Sequence, residues 1–265
     1  MDLKLSGKKA LVTGSTAGIG LAIAELLAKE GAHVYINGRS AARVDEAVKT
    51  IIKKTGSSSV SGIAADLGNA AGAKELIAKL PEIEILINNM GVYEAKDFFQ
   101  ITDEDWLAIY EANVLSGVRL SRHYLPQMLK KNWGRIIFIS SESGVQTPAE
   151  MIHYGMSKTA QLAISRGLAE LTGGSNVTVN SVLPGPTKSE GVDVFLKQIA
   201  NERGVEDPSK FEKELLLSLR PSSLLKRFAG CEEVANMVAY LVSELASATN
   251  GSAIRVDGGT VRSIV

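Results

Sequence analysis

The segment Lys8 to Gly20, KKALVTGSTAGIG, constrains this chain most. Lys9 to Thr13 reads as a buried strand. The stretch Gly14-Ser15-Thr16-Ala17-Gly18-Ile19-Gly20 follows without a spacer, and Leu21 to Lys29 reads as a helix. A strand, a tight glycine turn and a helix N-terminus together receive a phosphate-bearing ligand, because unpaired N–H groups and the helix dipole both favour an anion there. In this reading Gly14 forms the turn, Gly18 admits a pyrophosphate to the backbone, and Gly20 lets the helix pack close to the sheet. The spacing is G-x-x-x-G-x-G, not the commoner G-x-G-x-x-G, so this segment alone leaves open a glycine turn of another α/β protein.

The rest of the chain repeats the theme. Further strands are expected at His33 to Ile36, Val60 to Ala65, Ile83 to Ile87, Arg135 to Ser140, Val177 to Val182 and Ala253 to Val256. Helical patterns separate them, at about 41–54, 70–80, 103–131, 154–171 and 231–245. The fourth strand, IEILI, is nearly continuous in apolar residues, as expected when both faces are covered. This alternation predicts an α/β fold: a doubly wound, seven-stranded parallel sheet with right-handed crossovers and helices on both faces. No linker divides residues 1–265, so one domain is expected. Residues 186–227 break the rhythm and are too long for a plain connection. They are expected to hold short helices at Gly191 to Arg203 and Pro208 to Leu219. They leave the carboxyl end of a strand, where open sheets bind ligands, and so read as a lid over a substrate. Packing against a partner subunit is the alternative.

Composition removes several function classes. Lys plus Arg and Asp plus Glu each total 29, which gives no electrostatic footprint for nucleic acid. The single Cys231 excludes an intrachain disulfide framework and a cysteine-rich metal site. His33, His123 and His153 lack ligand spacing, so no metal is expected. No apolar run approaches the roughly 18 residues of a membrane helix, and no cleavable signal opens the chain. A cytoplasmic protein with no membrane partner is expected.

Strand two should end near Asn37, beside the adenosine ribose of a dinucleotide. The chain reads Asn37-Gly38-Arg39-Ser40 there, with no carboxylate and one guanidinium. Arg39 can hold a 2′-phosphate through paired charge-assisted bonds, and Ser40 can add a donor, which favours NADP(H) over NAD(H). A solvated helix start is the alternative for Arg39. Asp66-Leu67 ends strand three, where an aspartate can accept from adenine and its neighbour can line the pocket. A helix cap explains Asp66 equally well. Asn88-Asn89-Met90-Gly91 ends strand four; Gly91 admits backbone to the ribose, and the asparagines tie the strand to its neighbours or simply make a turn.

Tyr154-Gly155-Met156-Ser157-Lys158 is the most specific local signal. Tyrosine and lysine four apart share one helix face. An ammonium beside a phenol favours the phenolate and would lower a pKa that is ordinarily about 10. Such a tyrosine can give a proton to a carbonyl oxygen, or take one from an alcohol. Ser141 ends a buried strand, placed to donate to a substrate oxygen, though turn and capping duty accounts for it too. Asn113, in the long helix, would hold a water that connects Lys158 to solvent, or brace a kink. Ser143, Val145 and Met151, with Ser141 and Tyr154, are candidate substrate walls. His153 adjoins Tyr154, but adjacent helix residues point in different directions, so a second base is not expected there.

Taken together, Thr13 to Gly20, Asp66, Asn88 to Gly91, Asn113, Ser141, Tyr154 to Lys158 and Pro184-Gly185 resemble the classical short-chain dehydrogenase/reductase family. The resemblance runs through nearly the whole chain. It implies one Rossmann-like domain and a catalytic tetrad of Asn113, Ser141, Tyr154 and Lys158. It implies a dinucleotide held by Gly14, Ser15, Thr16, Gly18, Ile19, Gly20, Arg39, Ser40, Asp66, Leu67, Asn89, Gly91, Tyr154 and Lys158. Val114 would lie near the adenine, Pro184-Gly185 would border the nicotinamide, and Thr187 would donate to its carboxamide. Met90 departs from the family's usual alanine; its flexible side chain can fill an irregular gap. The chain resembles 3-oxoacyl-[acyl-carrier-protein] reductases in particular, which implies a β-keto thioester on an acyl-carrier protein or CoA. Lys130, Lys131 and Arg203 are weak candidates for a basic entrance patch. NAD-dependent oxidation of a sugar, steroid or other secondary alcohol is the alternative. A non-catalytic dinucleotide-binding regulator is the rival of another class, although it would not need the tetrad. Family members are usually tetramers built through helices that correspond to 103–131 and 154–171; a dimer is the alternative.

Overall fold

The buried strands alternate between two cores. In β1 (Lys9–Val12), Ala10 and Val12 face one apolar cluster and Leu11 faces the other. In β4 (Ile85–Asn88), Ile85 and Ile87 oppose Leu86 in the same way. In β5 (Gly134–Ile139), Ile137 and Ile139 oppose Ile136 and Phe138. Two covered faces therefore explain the continuous apolar runs. The computed structural model of the chain describes residues 2–193 and 208–264, with backbone alone over 208–211.

The remaining strands of the sheet are β2 (His33–Gly38), β3 (Val60–Ala64), β6 (Val177–Pro184) and, near the C-terminus, β9 (Ala253–Val256). All pairings are parallel, in the order β3-β2-β1-β4-β5-β6-β9. The seven-stranded expectation is met. Helices α1 (Gly18–Lys29) and α2 (Ala41–Thr55) contribute Ile23, Leu27, Val44 and Ile51 to one core. Helix α3 (Ala70–Lys79) contributes Leu76 to the other. Strand order reverses between β1 and β4, so the crevice at their carboxyl ends receives both the glycine turn and Asn88 to Gly91.

The helix expected over 103–131 is interrupted. It comprises α4 (Asp103–Tyr110), a π-helical turn at Glu111–Leu115, and α5 (Ser116–Lys131). The wider turn carries Asn113, whose side chain is anchored outside the helix, and the Ser116 hydroxyl donates to the Ala112 carbonyl at 2.6 Å. Helix α6 (Ile152–Glu170) follows β5 and starts two residues before Tyr154.

Beyond β6 the chain forms β7 (Thr187–Lys188), then α7 (Pro208–Leu219). It returns through β8 (Ala229–Gly230), paired parallel with β7, and α8 (Cys231–Val242). This two-stranded sheet was not foreseen from sequence. The expected helix at Pro208 to Leu219 is present; of the one at Gly191 to Arg203, residues 194–203 lie outside the described residues.

Candidate active site at the sheet switch point

Gly14 and Gly18 both adopt φ of +58°, a left-handed conformation that favours glycine. Gly20 is required by space: a Cβ there would lie 2.6 Å from the Gly14 carbonyl oxygen and 2.5 Å from Asn89 Nδ2. Its contacts are with the turn after β1 and with Asn89 at the end of β4, where α1 approaches the ends of the strands. Helix α1 begins at Gly18 with no side-chain cap and no acidic residue in its first turn. Its first N–H groups suit an anion.

Several expected ligands turn inward. The Ser15 hydroxyl donates to Val12 O at 2.6 Å and accepts from Asn37 N–H, while Ser15 N–H donates to Asn37 O. Both its donors therefore build the turn. Asn89 Nδ2 donates to Thr13 O at 2.9 Å and Gly14 O at 3.0 Å, clamping the turn to β4. The Thr13 hydroxyl accepts from the Asn89 and Met90 N–H groups. Ile19 packs partly against the core.

At the adenosine end, Asn37 Nδ2 donates to Ile63 O and Ala65 O, knitting β2 to β3. A Cβ on Gly38 would lie 2.6 Å from Thr16 Cγ2, so the Thr16 methyl fills the space a side chain would need. Arg39 is exposed beside it, and no carboxylate pairs with Arg39 among the described residues. Ser40 caps α2, its hydroxyl accepting from Arg43 N–H at 3.4 Å. The cap of α3 is Asn69, not Asp66; Asp66 closes the preceding turn by accepting from Gly68 N–H and the Asn69 amide. The Leu67 side chain is core, and Val114 is fully buried, so neither side chain reaches a ligand.

The chemistry-bearing residues converge beyond β5. Ser140 donates to Lys158 O, docking the strand's end on α6. The Lys158 ammonium is buried and donates to Ile139 O at 2.9 Å and Gln161 Oε1 at 3.3 Å. Burial pulls its pKa from 10.5 to about 8. The ammonium stands 5.6 Å from the centre of the Tyr154 ring. A Cβ on Gly91 would lie 3.3 Å from Lys158 Nζ and 3.6 Å from Asn113 Oδ1, so these groups share one floor. The Asn113 amide accepts from Val92 N–H, and donates to Val92 O and the Ser157 hydroxyl. The Asn113 backbone carbonyl accepts from Gln161 Nε2 at 2.6 Å.

Burial raises the phenol of half-buried Tyr154 above its ordinary value; the neighbouring Ser141 hydroxyl opposes that rise and the Glu142 carboxylate adds to it. This shift runs opposite to the expected acidification of the phenol by lysine. Lys158 aims its donors at β5 and Gln161, and desolvation dominates the tyrosine.

Glu142 was missed in the sequence. It is 5% exposed; its Oε2 accepts from the Ser141 hydroxyl at 2.5 Å and from Ser143 N–H at 3.0 Å. Its Oε1 accepts from Arg220 Nε at 2.8 Å. A carboxylate directly after a candidate serine, where the chain leaves a buried strand, was the available signal. Of the expected walls, Ser143 is buried, Met151 half-buried and Val145 exposed. His153 is buried edge-on against Trp106, away from any role as a base. Gly185 is hemmed by the Asp257 backbone, Pro184 ends β6, and the Thr187 hydroxyl donates to Gly185 O. Lys131 is paired with Glu82.

A family model described as short chain dehydrogenase matches residues 8–199. The chain belongs to the short-chain dehydrogenase family. This short-chain dehydrogenase is 49% identical over 267 residues to the uncharacterized oxidoreductase YvrD of Bacillus subtilis (strain 168), across all of both chains. It is 34% identical to the 3-oxoacyl-[acyl-carrier-protein] reductase FabG of Aquifex aeolicus, over 98% of this chain and 99% of that one. A crystal structure of L-sorbose reductase from Gluconobacter frateurii, complexed with NADPH and L-sorbose, superposes with a TM-score of 0.92 at 33% identity, covering all of both chains. The protein is therefore an oxidoreductase of a family that binds a nicotinamide dinucleotide. The uncapped start of α1 and the left-handed Gly14 and Gly18 fit such a group. Among the described residues no helix is long and apolar enough to cross a membrane, and no cluster could hold a metal ion.

Proposed function

We propose that this enzyme is an NADPH-dependent carbonyl reductase, reversible as an alcohol dehydrogenase, working on a small molecule in the cytoplasm. The observation that carries the reading is the convergence of Ser141, Tyr154 and Lys158 at the carboxyl end of β5, across from Gly91. Bound NADPH supplies a hydride to the substrate's carbonyl carbon. The glycine turn and Gly91 would hold its phosphates and ribose by backbone approach, and Lys158 would take the nicotinamide ribose hydroxyls. Ser141 and Tyr154 hold the carbonyl oxygen, and Tyr154 gives it a proton. A phenol kept protonated by burial suits the reducing direction at neutral pH. Lys158, positioned by Gln161, and a water held near Asn113 return that proton.

Arg39 favours the phosphorylated cofactor, supported by its exposure and by Thr16 occupying the space beside Gly38. Residues 186–227 act as a lid within a single catalytic domain; Lys188 binds Glu212 at 2.8 Å, and Arg220 reaches Glu142. Exposed Leu107 and Leu171 support assembly through α4 to α6, as a tetramer. Ketose sugars and 3-oxoacyl thioesters are both represented among the relatives' substrates.

Replacing Tyr154 with Phe tests the reading. NADPH oxidation over a panel of ketones should fall by roughly a hundredfold to ten-thousandfold. NADPH binding, followed by fluorescence titration, should persist. Full activity in Tyr154→Phe would eliminate the mechanism.

A further inference from the structure

The Ser141 hydroxyl has one hydrogen, and in this arrangement it points at Glu142 Oε2, 2.5 Å away. Ser141 cannot give that hydrogen to a substrate until another donor satisfies the carboxylate. Glu142 is buried, so water does not readily take the vacated place. A carboxylate offers about four acceptor directions. Ser143 N–H and Arg220 Nε hold two of them from the protein side, which fixes the group's orientation and balances its charge. Arg220 is anchored in turn by its bond to Leu219 O at the end of α7.

We propose that Glu142 is a specificity-determining residue that selects substrates with a hydroxyl on the carbon next to the reacting carbonyl, that is, α-hydroxy ketones. This rests on the reading that Ser141 and Tyr154 hold the carbonyl oxygen. The substrate hydroxyl donates to Glu142 Oε2 and displaces the Ser141 hydrogen, which turns to the adjacent carbonyl oxygen. One buried bond is exchanged for two, and no group is left unpaired. A 3-oxoacyl thioester has no donor on its neighbouring carbon and offers another carbonyl oxygen beyond it. Its lone pairs would face the carboxylate, and Ser141 would stay occupied. The same pair of residues thus admits one substrate class and rejects the other.

Steady-state kinetics with NADPH and two ketones of matched size, acetoin and butan-2-one, test this directly. The readout is the ratio of their kcat/KM values, compared between wild type and variants, which removes the ketones' intrinsic difference in reactivity. Glu142→Gln removes the charge. The double variant Glu142→Met with Arg220→Met replaces the buried pair by apolar groups and leaves no unpaired cation. Circular dichroism confirms that each is folded. The acetoin preference of the wild type should fall by on the order of tenfold to a hundredfold in both, as expected for losing a hydrogen bond to a charged group. An unchanged ratio in both variants overturns the assignment of Glu142, as does a wild type that turns over the two ketones equally. Absence of NADPH oxidation with either ketone, and with the acetoacetyl thioester of N-acetylcysteamine, overturns instead the reductase reading beneath it.

Discussion

Lys158→Met isolates the cost of the buried ammonium. Burial moves Lys158 from 10.5 to about 8. At about 1.4 kcal/mol per tenfold change in proton affinity, the folded protein loses roughly 3 kcal/mol by holding the charge below pH 8. Methionine has similar length and no charge. It forfeits the bonds to Ile139 O and Gln161 Oε1, which offsets about 1–3 kcal/mol of the gain. The net change at neutral pH is therefore small, but its pH dependence is not. Below about pH 8 both folded and unfolded wild type keep the proton, and the penalty is complete. Between about 8 and 10.5 the folded protein sheds a proton that the unfolded chain retains, so wild-type stability rises with pH relative to the variant. Above that range the penalty is gone. Urea unfolding of both proteins, without cofactor, should show the variant's relative stability falling by roughly 2–3 kcal/mol from about pH 8 to about pH 10. A difference that stays flat over this range would refute the argument, because it would mean that the folded lysine titrates where an unburied one does.

Arg39→Gln should weaken NADPH binding by on the order of tenfold or more and leave NADH binding unchanged, as read by fluorescence titration of both. Gly20→Ala forces a methyl against the Gly14 carbonyl and Asn89 amide; it should destabilise the fold by about 1–3 kcal/mol and abolish dinucleotide binding, as checked by thermal unfolding with and without NADPH. Asn113→Ala leaves the Val92 N–H and carbonyl without their side-chain partner and removes one of the two bonds of the Ser157 hydroxyl. It should cost about 1–3 kcal/mol in denaturant unfolding and lower kcat more than it changes NADPH affinity.

Residues that act on their chain neighbours were the legible ones. Ile85 to Ile87 and Ile136 to Ile139 declare a sheet covered on both faces, because every position must be apolar. Gly14 to Gly20 declares the turn, because left-handed backbone at Gly14 and Gly18 and close contact at Gly20 demand those glycines. Tyr154 and Lys158 reach the same site through helix periodicity. What stayed hidden depends on contacts between distant segments. Arg220 finds Glu142 across 78 positions, and Asn113 finds Val92 across 21. The π-helical turn coincides with the second contact, and nothing in Glu111-Ala112-Asn113-Val114-Leu115 forbids an ordinary helix. The direction in which the lysine points was also hidden. Periodicity puts Lys158 on the face of Tyr154, but the Ile139 carbonyl and the Gln161 amide oxygen receive its hydrogens.

The short pairing of Thr187–Lys188 with Ala229–Gly230 has a consequence for how such an enzyme diversifies. The chain leaves the body after Thr187–Lys188 and re-enters it at Ala229–Gly230, so this pairing brings the two ends of the excursion together. The excursion's length and composition can change without altering any register in the seven-stranded sheet. Swapping this excursion between relatives, cut at the pairing, should therefore transfer substrate preference while leaving the dinucleotide half of the protein intact.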